Sequence, residues 1–175
     1  SIIKNEAVKM GAAIYNSFGT ITVTNSTISD NSAPNYTGIA NVGSVEATVV
    51  NSTIAFNNIT ATGGNRYGGI GNISGGTFTL QNSIVAQNDE RQCQANDNWT
   101  SAGNNLASDQ YCDFEATGDI ELTDPLLAPL GDYGGPTLTH PLSPGSPAID
   151  AGSNVACPST DQRGITRPVA GDNVA

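Results

Sequence analysis

The sequence predicts an all-β fold of the β-solenoid type, and three observations support this prediction. Asn, Thr, Ser and Gly occupy 72 of the 175 positions (19, 18, 15 and 20). These residues are weak helix formers, whereas Thr suits strands and Asn and Gly suit tight turns. A segment of about 26 residues repeats, which is typical of stacked repeat proteins. Within each repeat, short runs alternate apolar and polar residues with the period of a half-buried strand.

The repeat organises the first half of the chain. The stretches that begin at Ile21, Ala47 and Phe78 superimpose as ITVTNSTISDN, ATVVNSTIAFN and FTLQNSIVAQN, and the opening SIIKN matches the end of a further copy. The copies share files of asparagine and files of apolar residues. The asparagine files are Asn5, Asn31, Asn57 and Asn88; Asn25, Asn51 and Asn82; and Asn16, Asn41 and Asn72. The apolar files are Ile14, Ile39 and Ile70; Ile21, Ala47 and Phe78; Val23, Val49 and Leu80; and Ile28, Ile54 and Val85.

Stacking explains why each repeat needs its neighbours. One repeat cannot bury the apolar side of its short strands, but turns stacked about 4.8 Å apart form a continuous interior. Asparagine suits the corners, because it tolerates a left-handed backbone and its amide can bond to the same amide one turn away. The Gly-rich stretch TATGGNRY then fits as an insertion at a corner. A β-sandwich or a propeller with coincidentally similar strands is the alternative.

The charge balance excludes some partners. The chain carries a net charge of −10 with only six Lys and Arg residues, so we expect no nucleic-acid partner, since phosphate neutralisation needs clustered basic residues. No apolar run is long enough to span a membrane, and the first residues lack the apolar stretch of a signal peptide. The chain begins without Met in the middle of the repeat pattern. We therefore expect a fragment or a processed protomer.

The chain resembles a known family, the secreted right-handed parallel β-helix repeat proteins of bacteria, which are related to the repeats of chlamydial polymorphic membrane proteins. The repeat part of the resemblance is the G-I-x-N pattern at 38–41 and, less completely matched, the T-x-T-x-x-N-S-T-I-x-x-N pattern at 22–31. The stretches DPLLAPLGDYGGPTLTHPLSPGSPAIDAG (124–152) and CPSTDQRGITRP (157–168) are similar to the choice-of-anchor type C-terminal block of these proteins. The resemblance implies a right-handed parallel β-helix of about three to four coils with a loop-rich, disulfide-containing C-terminal segment. It also implies an extracellular or cell-surface location.

The resemblance bears on the cysteines as well. By analogy and by their proximity across a loop, Cys93 and Cys112 are expected to form a disulfide worth about 3 kcal/mol. Three reduced thiols in a cytosolic protein are the alternative. In similar proteins the chain runs on into a further Cys and a final apolar strand, so Cys157 is expected to lack its partner here. We expect one domain with three parts: β-helix coils (1–88), an acidic disulfide loop region with a further strand (89–123) and a loop-rich block (124–175).

The sequence offers no clear catalytic constellation. Glycosidases need two neighbouring carboxylates, but the acids of 1–88 are Glu6, Asp30 and Glu46, and no two of them share a file. A lyase needs acids around Ca²⁺ and a basic residue, and Arg66 has no acidic neighbours in the sequence. His140, the single histidine, lies before a proline and is expected to be structural. We therefore predict no enzymatic activity, with a polysaccharide lyase or hydrolase as the alternative.

Acids concentrate in the second half of the chain. Ten of them lie between Asp89 and Asp132, against Arg91 alone. A solvated acidic surface is the simplest interpretation, and we expect no cofactor. A Ca²⁺ site is the alternative, since oxygen ligands can gather from a loop. Its weak candidate ligands are Asp119, Asp124 and Asp132.

Aromatic residues and sequons suggest sugar-related roles. Tyr36 and Tyr67 each precede a file asparagine by five residues and are expected to stack on successive coils, and Trp99 follows the third coil. Exposed, these three residues form a candidate glycan-binding ladder; packed together, the two tyrosines would seal a corner. Among the N-x-S/T sequons, the accessible candidates for glycosylation are Asn35, Asn58 and Asn98.

These observations lead to one functional hypothesis and one alternative. The hypothesis is a non-catalytic extracellular structural β-helix, a rigid surface, adhesive or fibre-forming module. Its partners would be other copies of itself, joined head to tail through unpaired strand edges near Ile2 and Ile3, or surface polysaccharide. The alternative is a polysaccharide-binding or polysaccharide-degrading β-helix.

Overall fold

The computed structural model describes residues 1–95, 98–155 and 157–167, and in these residues the chain is all-β with no helix. Fifteen short strands form four sheets, and every pair of neighbouring strands is parallel. Sheet I contains β2 (Ile14–Asn16), β6 (Ile39–Val42), β10 (Tyr67–Ile73) and β13 (Arg91–Gln94). Sheet II contains β3 (Thr20–Thr24), β7 (Glu46–Val50), β11 (Thr77–Gln81) and β14 (Trp99–Ser101). Sheet III contains β1 (Ile2–Ile3), β4 (Thr27–Ser29), β8 (Thr53–Ala55), β12 (Ile84–Ala86) and β15 (Leu106–Ala107), and sheet IV contains β5 (Ser32–Ala33) and β9 (Asn58–Ile59).

The chain visits sheets I, II and III in turn and then returns to sheet I beside the strand it laid down before. Each sheet therefore contains strands in chain order, for example β3, β7, β11 and β14. In sheet II, Val23 lies opposite Val49, and Val49 lies opposite Leu80. The repeat alignment is thus confirmed in three dimensions, because residues of one sequence file are neighbours across parallel strands.

The core lies between the three main sheets and consists of the apolar files. In β7 and β11 the second and fourth residues are buried, whereas the residues between and beside them are exposed or half-buried. Every second residue of these longer strands therefore points inward. Phe78, Ile54, Ile70 and Leu80 are completely buried. Full burial of each such side chain contributes about 1.5 to 3 kcal/mol relative to exposure.

Asparagine side chains join successive strands inside one corner. In this inner asparagine ladder, the Asn31 amide nitrogen donates to Asn57 Oδ1 at 2.9 Å, and the Asn57 amide nitrogen donates to Asn88 Oδ1 at 2.7 Å. The backbone N–H groups of Asn31 and Asn57 donate to the same two oxygens. Asn31 and Asn57 are fully buried. The ladder therefore satisfies polar groups that would otherwise be costly to bury.

A second set, the outer asparagine row, faces the C-terminal part of the chain. Its members Asn25, Asn51, Asn82 and Asn104 all have φ between 48° and 57°, the left-handed conformation that a corner needs. Their amide nitrogens donate to the C-terminal strap, which we define as residues 151–155 and 157–167. The acceptors are Thr160 O for Asn25 (2.8 Å), Cys157 Sγ for Asn51 (3.8 Å), Ser153 O for Asn82 (2.8 Å) and Ala151 O for Asn104 (2.7 Å).

The strap thus runs along the row and touches one asparagine of each turn. Arg167 adds a bond from its guanidinium to Asn25 Oδ1 at 2.8 Å. Further contacts hold the C-terminal part on sheet III: His140 Nε2 lies 2.9 Å from Ser29 Oγ, and the Thr27 hydroxyl donates to Gln162 Oε1 at 2.8 Å. The loop-rich block therefore packs against the repeat body along its length.

Candidate functional site

Two tyrosines occupy equivalent places at the entrance to sheet I. Tyr36 lies ahead of β6, and Tyr67 is the first residue of β10. Asn35 fixes both backbones, since its Oδ1 accepts the N–H of Tyr36 at 3.0 Å and the N–H of Tyr67 at 2.9 Å. One amide oxygen therefore sets the relative position of the two rings.

The two rings stack face to face. Their centroids are 5.4 Å apart and their planes differ by 2°, so the predicted stacking is confirmed. The Tyr36 ring also lies against Gly71 of β10, where an added Cβ would overlap with ring atoms of Tyr36. The missing side chain of Gly71 therefore leaves the space that the Tyr36 ring occupies.

Arg91 and Tyr111 extend the pair into a longer stack, the tyrosine–arginine column (Tyr36, Tyr67, Arg91 and Tyr111). Arg91 is the partner of Tyr67 across β13 and β10, and its guanidinium lies 5.8 Å from the centre of the Tyr67 ring. It lies 4.2 Å from the centre of the Tyr111 ring, within the range of a cation–π contact. One signal for Arg91 is visible in the sequence, since it is the only basic residue among the ten acids between Asp89 and Asp132.

The column shifts the acidity of two of its members. Burial raises the pKa of Tyr36 above 10.0, and the neighbouring Tyr67 phenol raises it further. The Tyr67 hydroxyl, at 3.5 Å from an Arg91 nitrogen, raises the pKa of Arg91, and Tyr111 acts in the same direction while burial opposes them. Both side chains thus keep their neutral-pH protonation, with Tyr36 uncharged and Arg91 cationic.

The stacking limits what the column can bind. A sugar ring docks on the face of an aromatic ring, but the facing sides of Tyr36 and Tyr67 cover each other and Arg91 lies over Tyr67. Tyr111, at the end of the column, is 40% exposed. The structure therefore favours the tyrosines as a packed corner, with Tyr111 as the ring most open to a ligand.

Trp99, the third candidate glycan-binding residue, lies elsewhere. It belongs to β14 of sheet II, and its ring stacks on Phe78 at 4.9 Å and on Phe114 at 6.5 Å between centroids. Phe78 is completely buried and Phe114 is 9% exposed. Trp99 therefore packs against the core, and the structure does not bring it into the tyrosine–arginine column.

The three candidate glycosylation sites differ in their surroundings. The Asn35 side chain is occupied by the two backbone bonds described above. Asn98 is exposed and its amide donates to Gly75 O at 3.1 Å. Asn58 is exposed in β9. Of the three, Asn35 is the one whose modification would disturb the tyrosine pair.

Many of the acids hold backbone N–H groups. Asp109 accepts the N–H of Gln92 at 2.9 Å and that of Tyr111 at 3.0 Å. Burial raises the pKa of Glu121, and the nearby Asp113 and Asp109 raise it further, while the Phe114 N–H opposes them. The acidic stretch thus serves partly as a set of acceptors for loop backbone.

The three weak Ca²⁺ candidates lie in separate loops with separate partners. Asp119 accepts from Asn105 N and Ala116 N, Asp124 from the Gln87 amide and Leu126 N, and Asp132 from Gly134 N. In the part of the chain that the structure describes, no group of three or more His, Cys, Asp or Glu residues could hold a metal ion.

The cysteines and the histidine have structural surroundings. Cys93 and Cys112 form a disulfide, so the expected pairing is confirmed, and both residues are completely buried. Cys157 is a free, half-buried thiol in the C-terminal strap. His140 is 8% exposed and packs its ring 4.9 Å from that of Phe56.

A cleft of about 1050 Å³ lies between sheet III and the C-terminal part, beside the contacts that join them. Apolar side chains of both sides line it, including Ile84, Leu106 and Leu142, together with Asn51 and Asn82 of the outer asparagine row.

Among the described residues, no helix could cross a membrane. In comparisons with known proteins, no protein family, curated protein or solved structure matches the chain.

Proposed function

We propose that the chain is a right-handed parallel β-helix and serves as a non-catalytic structural module outside the cell, a rigid surface or adhesive spacer. Parallel sheets visited in a fixed order support the fold assignment. The buried Cys93–Cys112 disulfide is compatible with an oxidising, extracellular environment.

One observation carries this proposal: three independent sets of contacts join each turn to the next. The apolar files pack in the interior, the inner asparagine ladder connects buried amides, and the C-terminal strap ties one member of the outer asparagine row in each turn. In a stacked repeat protein, stability comes from interfaces between neighbouring repeats. A body reinforced along its long direction suits a spacer that must keep its shape.

Pulling single molecules by their two ends tests the rigid module. We expect one cooperative rupture in the unmodified protein. We expect a lower rupture force in Asn82→Gly, which lacks the two bonds between Asn82 and Ser153 of the strap. A series of small low-force steps in the unmodified protein would contradict the proposal. In the natural host, labelling of intact cells with an antibody tests the location, and a signal seen only after lysis would argue against a surface role.

Association of copies end to end is part of the proposal and depends on strand edges. Unpaired backbone groups of an outermost strand can pair with another chain. Electron microscopy of the complete natural protein, before and after reduction of the Cys93–Cys112 disulfide, tests this part, with filaments expected in at least one of the two states. Particles that stay monomeric at all concentrations would restrict the function to a single module.

Polysaccharide binding remains the second candidate, and the exposed Tyr111 ring is the observation that favours it. Glycan-array binding that is lost in Tyr111→Ala but retained in Tyr133→Ala would support it. Tyr133 is a suitable control because it is 43% exposed and lies outside the column. Equal binding by both variants would exclude the column as a glycan site.

A further inference from the structure

We propose that residues 108–123, which we call the end cap, cover one end of the stacked sheets and so prevent a second copy of this chain from pairing there. The Cys93–Cys112 disulfide holds the cap in place. This inference rests on the stacked arrangement of the proposed function and goes further, since it assigns the control of end-to-end association to a named segment.

The end cap covers the last strand of each main sheet. In their sheets, β13, β14 and β15 are terminal and have one neighbouring strand each. Cys112 is bonded to Cys93 of β13, the Phe114 ring stacks on Trp99 of β14, and Ile120 forms a bridge with Leu106 of β15. The cap thus shields the end of the core without continuing the β13 and β14 sheets as further strands.

Two series of hydrogen bonds lead to aspartates of the cap. In the first series, backbone N–H groups donate to a side-chain oxygen one turn further on, from Ser26 to Ser52, from Ser52 to Ser83 and from Ser83 to Asn105. Asn105 N then donates to Asp119 Oδ1 at 2.8 Å. The backbone N–H of Asp119 donates in turn to Ala116 O at 3.1 Å, so this series ends inside the cap.

The second series also reaches an aspartate of the cap. The backbone N–H of Asn57 donates to Asn88 Oδ1, that of Asn88 donates to Gln92 Oε1 at 3.1 Å, and that of Gln92 donates to Asp109 Oδ2 at 2.9 Å. Both series therefore lead from the stacked strands to an aspartate of the cap.

The charge of the cap opposes the approach of a like molecule. Residues 108–123 include Asp109, Asp113, Glu115, Asp119 and Glu121 and contain no Lys or Arg. The whole chain has a net charge of −10. Charged residues at a strand edge are a common protection against edge-to-edge pairing.

A second copy is the occupant that fits the uncapped end. The files of Phe78 and Val85 finish at that end with Trp99 and Ala107, and the same files of another copy would continue them. At the opposite end, β1, β2 and β3 are also terminal in their sheets and carry Ile2, Ile14 and Ile21 of these files. Parallel addition of a copy would therefore continue both the core and the sheets.

The test compares capped and uncapped forms of the 1–175 chain in a Cys157→Ser background, which removes the free thiol. Size-exclusion chromatography with light scattering measures mass at several protein concentrations, at a salt concentration that screens the net charge. The oxidised protein is expected at the monomer mass of 17.9 kDa. Reduction, or the substitution Phe114→Ser with Cys112→Ser, is expected to give species of at least twice that mass, with elongated particles in electron microscopy.

A change at the opposite end separates ordered stacking from general stickiness. In the uncapped variant, Ile21→Lys places a charge in the file that a second copy must continue, and we expect it to restore the monomer. Oligomers that persist in Ile21→Lys would overturn the proposal, because they would not use that end. Uncapped protein that keeps its circular-dichroism signal and remains monomeric would also overturn it, while the rigid module of the proposed function would stand.

Discussion

The amide nitrogen of Asn57 lies 2.7 Å from the carboxamide oxygen of Asn88, and this bond joins residues 31 positions apart in the sequence. The same Asn57 side chain also accepts from Asn31 on its other side. A file that is only a repeated letter in the sequence is therefore a continuous chain of bonds in the structure.

We predict that Asn57→Ala lowers the free energy of unfolding by about 2 to 3 kcal/mol, because it removes the amide bonds to Asn31 and Asn88 and leaves the buried backbone N–H of Asn31 without its acceptor. Chemical denaturation measures the loss. Asn58→Ala is the matched control: Asn58 is the next residue and is exposed, so a change within about 0.5 kcal/mol is expected. Equal effects of the two substitutions would contradict a special role for the ladder.

We predict that Asn82→Gly loosens the C-terminal strap near Ser153 without straining the corner. Glycine tolerates the φ of 49° found at Asn82 but removes the bonds to Ser153 O and Ser153 N. Limited proteolysis near Ser153 is expected to accelerate at least several-fold. Asn82→Ala should lose the same bonds and additionally carry backbone strain of about 1 kcal/mol. An unchanged cleavage rate in both variants would show that the strap is held by other contacts.

We predict that Gly71→Ala destabilises the protein by about 1 to 3 kcal/mol, since its Cβ would overlap with the Tyr36 ring. Tyr36→Ala in the same chain should recover part of this loss, because it removes the group that the new methyl meets. A double-mutant cycle in thermal or chemical denaturation measures the coupling. Additive effects would mean that Tyr36 does not rest on Gly71 in solution.

We predict a pH-dependent contribution from Asp161 in the strap. Burial acts to raise the pKa of Asp161, but the N–H groups of Ile165 and Arg163 and the Arg163 guanidinium outweigh it and lower the pKa below 3.8. The folded state therefore gains stability above pH 3.8, and this gain is lost as the pH falls through the lowered pKa. Asp161→Asn should cost about 1 kcal/mol at neutral pH and progressively less below pH 3.8. A constant cost across this range would refute the ion pair as its cause.

We predict the opposite sign for Glu121 in the end cap. Its pKa is raised above 4.5 by burial and by Asp113 and Asp109, so the carboxylate is destabilising once it is ionised. Stability from this group is present below pH 4.5 and is lost as the pH rises through the raised pKa. Glu121→Gln keeps an acceptor for Phe114 N and should raise neutral-pH stability by less than about 1 kcal/mol. Thermal melts at neutral and acidic pH measure this gain, which should vanish in acid.

Much of the repeat body could be predicted from the sequence, because each of its contacts reappears at a regular interval. Val23, Val49 and Leu80 were assigned to one file from their spacing alone, and they are neighbours across parallel strands. The stacking of Tyr36 on Tyr67 followed from the same spacing. Three members of the outer asparagine row, Asn25, Asn51 and Asn82, were found as a file. Asn104 and the partners in the strap were not, since bonds such as that between Asn82 and Ser153 do not recur with the repeat.

The sequence by itself determined the alternation of inward and outward residues and the files, because period two and the repeat interval are local properties of the chain. Only the tertiary structure decided that Arg91 and Tyr111 extend the tyrosine pair, that Trp99 packs on Phe114 beneath the end cap, and that two series of bonds lead to Asp109 and Asp119. These contacts join segments that share no period, and their geometry depends on where irregular loops come to rest on the finished stack.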